Sequence, residues 1–242
     1  KRRWPIRDAI ICGTHTELKP LEVEGVSESL KSQLNAEQYR MVQINAGSQL
    51  EKVSSLLENN LPVTVNISLV RKSVAPRVKA DINSVLQAFE GVDKIAVIKE
   101  LKSSGKFMLA YNNEKTTEIL PADVDITYKA QEGYSSSERG NLVVFISTKR
   151  DKELIAKGLL RDLARNLQQL RKERQYNPTD ILAAAYVAGL DDEEETAALS
   201  AMKEEMTYLV RVKAAVLSKE PLGNVSYKQV EIDGREFRIS VE

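Results

Sequence analysis

The side chains best suited to chemistry lie along one predicted helix, and they are cations and amides. Over residues 151–174, a rotation of about 100° per residue places five polar side chains within about 40° of one line. They are Lys157, Arg161, Arg165, Gln168 and Lys172. Such a stripe suits a nucleic-acid backbone, because cations displace condensed counterions and guanidinium groups match phosphate oxygens. An ordinary solvated helix face has the same composition, so periodicity alone leaves both interpretations open.

The opposite half of this helix is apolar and predicts the packing that must hold the stripe in place. It carries Ile155, Leu159, Leu163, Leu167 and Leu170. An apolar half of this width is typical of a helix that packs on a core. The helix is expected to end before Asn177 and Pro178, since the residue before a proline disfavours helical geometry. The sequence therefore predicts a long amphipathic helix with its leucines buried.

No residue pattern indicates catalysis, a metal site or a bound cofactor. The single histidine, His15, is predicted to be a polar loop residue, with no nucleophile or carboxylate next to it. The single cysteine, Cys12, lies in an apolar run and excludes a disulfide framework and a cysteine-rich zinc site. The acidic run at 191–195 suits the first turn of a helix better than a metal. Glycine-rich phosphate loops are absent from the sequence.

Composition indicates a soluble globular protein without a membrane partner. Acidic and basic residues number 35 each, so net charge neither favours nor excludes a polyanion. No apolar run approaches the roughly eighteen residues of a membrane span. One cysteine and no signal peptide fit a reducing cytoplasm. Because the chain opens Lys1-Arg2-Arg3 without an initiator Met, we expect it to come from within a larger protein.

Alternating helix and strand patterns predict an α+β fold with mixed sheets, packed helices, one long amphipathic helix and a C-terminal β-hairpin. Residues 1–111 are predicted to form an N-terminal α/β subdomain, and 112–242 a C-terminal α+β subdomain that carries the basic helix at 151–174. In the closing hairpin, Asp233-Gly234 is a two-residue turn signal that places Val230 opposite Phe237. Residues 132–137 are predicted to be a mobile hairpin loop. The sequence shows no internal repeat.

Residue order in and around the long helix resembles isoleucyl-tRNA synthetases. ELIAKGLLRDL at 153–163 and NLQQLRK at 166–172 are similar to that family's EL…EGLARE run leading into IQxLRK. Shorter matches follow the family's order: RWPIR at 3–7, QLN at 33–35, APRV at 75–78, LPADV at 120–124 and PTDI at 178–181. The chain departs from the pattern at Lys157, where the family usually has Glu, and at 174–176.

The resemblance implies the C-terminal region that follows the helical anticodon-binding bundle of a class I aminoacyl-tRNA synthetase, in the zinc-less branch of archaea, eukaryotes and some bacteria. The parent ligase would use ATP and Mg to attach isoleucine to tRNA(Ile) in protein biosynthesis. Its HIGH and KMSKS signatures and its editing domain are absent here, so this part is expected to be non-catalytic and without cofactors. The expected partners are tRNA(Ile) and the rest of the synthetase, not DNA.

The residues expected to bind RNA are Lys157, Arg161, Arg165, Gln168, Gln169, Arg171 and Lys172. Tyr134 and Tyr176 are the candidate platforms for base stacking, and Trp4 is assigned to packing. The alternative function is a structural or protein-docking module whose basic face touches no RNA. An unrelated α/β enzyme is a weaker alternative, because no catalytic constellation is present.

Overall fold

The structure, a computed structural model, describes residues 5–23, 25–112 and 115–242. The chain folds as two compact units, Ile6–Lys149 and Arg150–Glu242 together with Pro5, called here the first and second units. The sequence placed the division after residue 111 instead. The first unit extends further because a strand at Leu142–Ser147 pairs with the strand at Ile6–Gly13. Hydrophobic periodicity does not reveal such long-range pairing. Trp4 lies outside the described residues.

The first unit contains a four-stranded mixed sheet in the order β2-β1-β8-β7. β1 (Ile6–Gly13) is parallel to β2 (Ala36–Gln43), and α1 (His15–Leu18) and α2 (Val26–Leu34) lie in the crossover. β7 (Tyr134–Arg139) and β8 (Leu142–Ser147) form a hairpin, with β8 antiparallel to β1. The loop predicted at 132–137 is thus wrong from Tyr134 onward. β7 is an exposed polar strand, and its sequence lacks the apolar alternation that identifies strands.

Between β2 and β7 the first unit carries a helical layer and two strand pairs, β3 with β6 and β4 with β5. The bounds are α3 Gln49–Glu58, β3 Val63–Leu69, α4 Arg71–Val78, α5 Ile82–Glu90, α6 Lys94–Ser104, β4 Phe107–Tyr111, β5 Lys115–Ile119 and β6 Val124–Ala130. Ser48 with Glu51 three residues later is a capping-box sequence that predicts the start of a helix, and the Ser48 hydroxyl accepts a hydrogen bond from the Glu51 backbone N–H at 3.2 Å. Pro76 suits the first turn of a helix, and the apolar stripe that follows it predicts one helix ending near Gly91. This prediction is wrong: Pro76 lies inside α4, and the chain turns at Lys79, with φ 46°, before α5 begins.

The second unit packs one long helix against a second four-stranded sheet, in the order β10-β9-β12-β11. The bounds are α7 Lys152–Glu173, β9 Leu182–Ala188, α8 Glu193–Ala201, α9 Lys203–Val210, β10 Val212–Ser218, β11 Lys228–Ile232 and β12 Arg235–Val241. The predicted closing hairpin is confirmed: Val230 pairs with Phe237. The turn residues have positive φ, 53° at Asp233 and 73° at Gly234, which an Asp-Gly turn supplies. The predicted α+β class is confirmed.

The two sheets repeat one topology, which corrects the expectation of no internal repeat. In each, a strand is followed by a helical crossover and a parallel partner, and a later hairpin adds its second strand antiparallel to the first. The parallel partners are thirty positions apart in both sheets, Ile6 with Ala36 and Leu182 with Val212. In each copy a single left-handed residue joins the helix to the parallel strand: Asn35 in the first copy and Arg211 in the second.

Few residues coincide when the two copies are aligned by this register. They include Ala9 with Ala185, Gly13 with Gly189 and Glu17 with Glu193. Elsewhere the copies share only the apolar character of buried positions, for example Ile11 with Val187 and Ala36 with Val212. Residues 44–133 separate the parallel strands from the hairpin in the first copy, against 219–227 in the second. The repeat is therefore visible in strand register and not in sequence.

Gly189, at the end of β9, gives a test of this close-packed strand end. Its φ is +100°, and a Cβ there would lie 2.9 Å from the Glu236 carbonyl oxygen. We expect Gly189→Ala to lower the free energy of unfolding by about 2 kcal/mol or more, since an L side chain is strained at this φ and would contact backbone. Urea unfolding followed by circular dichroism measures the loss. Gly223→Ala is the control, because its Cβ would meet nothing within 4 Å; equal effects would contradict the account.

Candidate nucleic-acid interface

α7 is the longest described helix, and its ends are fixed by the residues that the sequence indicates. The Asp151 carboxylate accepts a hydrogen bond from the Leu154 N–H at 2.9 Å and caps the first turn. Glu153 lies in the first turn and Lys172 in the last, so both charges favour the helix dipole. The helix spans Lys152–Glu173, which agrees with the predicted 151–174 to within a residue at each end.

The buried side of α7 is rotated by about 50° from the predicted side. Ile155, predicted to face the core, is 39% exposed, whereas Leu160, not predicted to face it, is buried. The buried side also includes Ala156 and Ala164, which a count of large apolar residues overlooks. As a result, one edge of the predicted stripe turns toward the protein, and the other edge stays in solvent.

Four of the predicted RNA-binding residues remain exposed on α7: Arg161, Arg165, Gln169 and Lys172. The Arg165 side chain is 77% exposed, and its guanidinium lies 3.6 Å from the Asp162 carboxylate. A pair this long and this exposed is worth little, so Arg165 can exchange its partner for a phosphate. From Arg161 to Lys172 the axis rises about 16 Å, the length of roughly five phosphates along one strand of a duplex. We call these four residues the cationic stripe.

Lys157 and Gln168 lie on the inner edge and have partners within the second unit. The Lys157 ammonium is 2.8 Å from the Glu153 carboxylate, one turn earlier. The Gln168 amide donates to the Leu209 carbonyl at the end of α9, at 2.5 Å. Both residues are half-buried, so they border the cationic stripe but are not on it.

Arg171, predicted to contact RNA, is instead buried, and its prediction as an exposed contact is wrong. It is 2% exposed and donates to four backbone carbonyls. These belong to Val210 at 2.7 Å, Arg211 at 2.9 Å, Asn177 at 3.1 Å and Asp180 at 2.8 Å. A buried guanidinium is tolerated only when its donors are satisfied in this way. Arg171 therefore fastens the loops before β9 and β10 to α7.

The predicted stacking platforms are not exposed, and a different tyrosine is. Tyr134 packs against the core of the first unit and Tyr176 against that of the second. Tyr208, near the end of α9, is 82% exposed. The sequence signal for it was available, because Tyr208 lies between the inward positions Met206 and Val210 of a helix. Because Tyr208 is far from α7 in sequence, the periodicity of α7 could not associate it with the cationic stripe.

The acidic run at 191–195, His15 and Cys12, which were not predicted to do chemistry, have places in the fold. In the part of the chain that the structure describes, no group of three or more His, Cys, Asp and Glu side chains could hold a metal. Asp192 caps α8 through the Glu195 N–H at 3.0 Å, so the acidic run starts a helix. His15 is the first residue of α1 and not a loop residue. Burial raises the pKa of the Cys12 thiol to about 11, which keeps it protonated and unreactive.

No described helix is both long enough and apolar enough to cross a membrane.

Comparison with known proteins finds that the chain is similar to one group of enzymes. No family model matches the chain. It is 24% identical over 180 residues to the isoleucine–tRNA ligase of Thermoplasma volcanium, covering 74% of this chain and 15% of the ligase. The ligase of Methanosarcina barkeri is 27% identical over 72% of this chain and 15% of its own length. That of Methanocella arvoryzae is 24% identical over the whole chain and 20% of its own length.

The chain is similar to isoleucyl-tRNA synthetases. The resemblance seen in its motifs is thereby confirmed. The chain spans only about a fifth or less of the length of these ligases. The similarity therefore concerns one part of these ligases.

Arg171 offers a direct test of how the second unit positions its surface. We expect Arg171→Ala to lower the free energy of unfolding by about 3 to 5 kcal/mol, because four carbonyls lose their donor in a buried place. Arg171→Lys should recover part of the loss, since an ammonium can reach fewer of the four carbonyls. Urea unfolding measures both. Arg165→Ala, on the exposed side of the same helix, should change stability by less than about 0.5 kcal/mol. A loss at Arg171 no larger than at Arg165 would refute the buried-clamp assignment.

Proposed function

We propose that this chain is the tRNA-binding, C-terminal part of an isoleucyl-tRNA synthetase, the ATP-dependent ligase that attaches isoleucine to tRNA(Ile) in the cytoplasm. The observation that carries the proposal is the cationic stripe, exposed on one side of α7 in a chain related to these ligases. The catalytic work, with ATP and Mg, belongs to other domains of the parent enzyme. On its own this part is proposed to be non-catalytic, without a metal or a cofactor.

The stripe would bind the phosphate backbone by counterion release and by directed hydrogen bonds. Arg161, Arg165 and Lys172 supply the charge, and the arginines offer paired N–H donors that match phosphate oxygens. The Gln169 amide, on the same exposed side, both donates and accepts, so it suits a base edge or a ribose hydroxyl. Because α7 is fastened by its buried leucines, the four side chains need little rearrangement before binding.

Two finer parts of the proposal rest on other observations. Cys12 is the only cysteine and it is buried, which supports the zinc-less branch of the family. Because the similar proteins are isoleucine–tRNA ligases, we take tRNA, and not DNA, as the nucleic acid that the cationic stripe binds. Docking onto the rest of the synthetase accompanies this function. A module that only docks, with no RNA contact, is the alternative that the following experiment separates.

The test is the salt dependence of tRNA binding by the 242-residue chain. We expect the variant Arg161→Ala/Arg165→Ala/Lys172→Ala to bind a tRNA(Ile) transcript roughly tenfold or more weakly at 0.15 M salt. Its plot of log affinity against log salt should be shallower by about 2 to 3, since each lost phosphate contact removes about 0.7 to 0.9 from the slope. Fluorescence anisotropy with labelled tRNA at four salt concentrations gives both quantities.

A charge-matched control keeps this test specific. The variant Lys203→Ala/Lys219→Ala/Arg238→Ala also removes three exposed cations of the second unit, but none of them lies on α7. It should bind tRNA with nearly the wild-type affinity and slope. If the stripe variant binds as the wild type does, or if both variants lose equally, the stripe is not the binding surface and the docking module is favoured.

A further inference from the structure

The corner where α9 meets β10 presents an exposed aromatic ring beside an arginine. A concave surface of about 640 Å³ there is lined by Ile181, Thr207, Tyr208, Leu209, Arg211 and Val212. Tyr208 is 82% exposed and Ile181 is 62% exposed. Large side chains this open are usually scattered singly, whereas here they share one concavity. We call Ile181, Tyr208 and Arg211 the aromatic corner.

The aromatic corner is fastened to the same helix that carries the cationic stripe. Gln168 donates to the Leu209 carbonyl, and Arg171 donates to the carbonyls of Val210 and Arg211. Gln168 is one helical turn from Lys172 on α7. A strand of RNA lying on the stripe could therefore place its next nucleotide at the corner without leaving the second unit.

The repeated topology shows that this corner is not required by the fold. By the shared register, Tyr208 corresponds to Ser32 and Arg211 to Asn35 in the first unit. Asn35 and Arg211 have the same left-handed conformation, with φ 53° and 59°. Asparagine tolerates this conformation better than arginine does. The second copy thus carries a large exposed ring and a less suitable arginine where the first copy builds the same corner from small polar residues.

We propose that the aromatic corner stacks an unpaired base of the RNA that lies on the cationic stripe. This inference rests on the proposed function and adds what the stripe cannot provide, a preference for single-stranded over paired RNA. The face of the Tyr208 ring offers the stacking surface, and the Ile181 side chain extends its apolar area. The Arg211 guanidinium is available for the phosphate of the stacked nucleotide. Paired bases cannot reach the ring, because their faces are covered within the duplex.

The experiment compares a hairpin RNA, with 2-aminopurine in its loop, and a fully paired RNA duplex of the same length. We expect Tyr208→Ala to weaken hairpin binding by on the order of tenfold, the loss of one stacked base, and to leave duplex binding unchanged. The 2-aminopurine fluorescence should be quenched by the wild-type chain and not by Tyr208→Ala. Tyr208→Phe keeps the ring face and should retain both the affinity and the quenching.

The stripe variant separates failure of this inference from failure of the proposed function. If the stripe variant loses binding to both the hairpin and the duplex, while Tyr208→Ala binds both with wild-type affinity, the stacking proposal alone is overturned. Wild-type binding by the stripe variant would overturn the proposed function. A wild-type dimer in sedimentation velocity that Tyr208→Ala converts to monomer, with hairpin preference unchanged, would assign the corner to a second copy of the chain and overturn the proposal.

Discussion

One buried guanidinium organises the surface on which the functional account depends. Arg171 extends from α7 into the interior of the second unit and donates to carbonyls from the loop before β9 and from the turn between α9 and β10. Sequence periodicity places it beside the cationic stripe, but packing draws it inward. A charge that is costly to bury is tolerated here because its donors hold two chain segments at once. The exposed cations of α7 and the aromatic corner therefore share one rigid support.

The repeated sheet separates what the fold requires from what function adds. Both copies have the same strand order and the same thirty-residue spacing between parallel partners. They differ in what surrounds the sheet: a helical insertion in the first unit, and a long cationic helix in the second. Function in such a pair lies in the surfaces carried by the scaffold and not in the scaffold itself. The exposed Tyr208 and Arg211, absent from the equivalent corner, follow this rule.

Local signals in the sequence predicted local structure well. The cap at Ser48, the Asp233-Gly234 hairpin and the extent of α7 each depend on neighbouring residues, and all three are found. Long-range pairing was not predictable, which explains the different unit boundary and the unnoticed repeat. The site was predicted in part, because helical periodicity finds a polar side but not its exact rotation. Arg171 and Tyr208 illustrate the two errors, a cation buried by packing and an aromatic residue brought near by the fold.

The central claim is that the exposed side of α7 contacts tRNA directly. Site-specific photocrosslinking tests it most directly, with benzoylphenylalanine introduced at Gln169 on the stripe and, separately, at Lys219 beyond the end of β10. The account predicts that irradiation crosslinks tRNA(Ile) to the chain labelled at Gln169, with little product from the chain labelled at Lys219. Efficient crosslinking at Lys219 with none at Gln169 would contradict it.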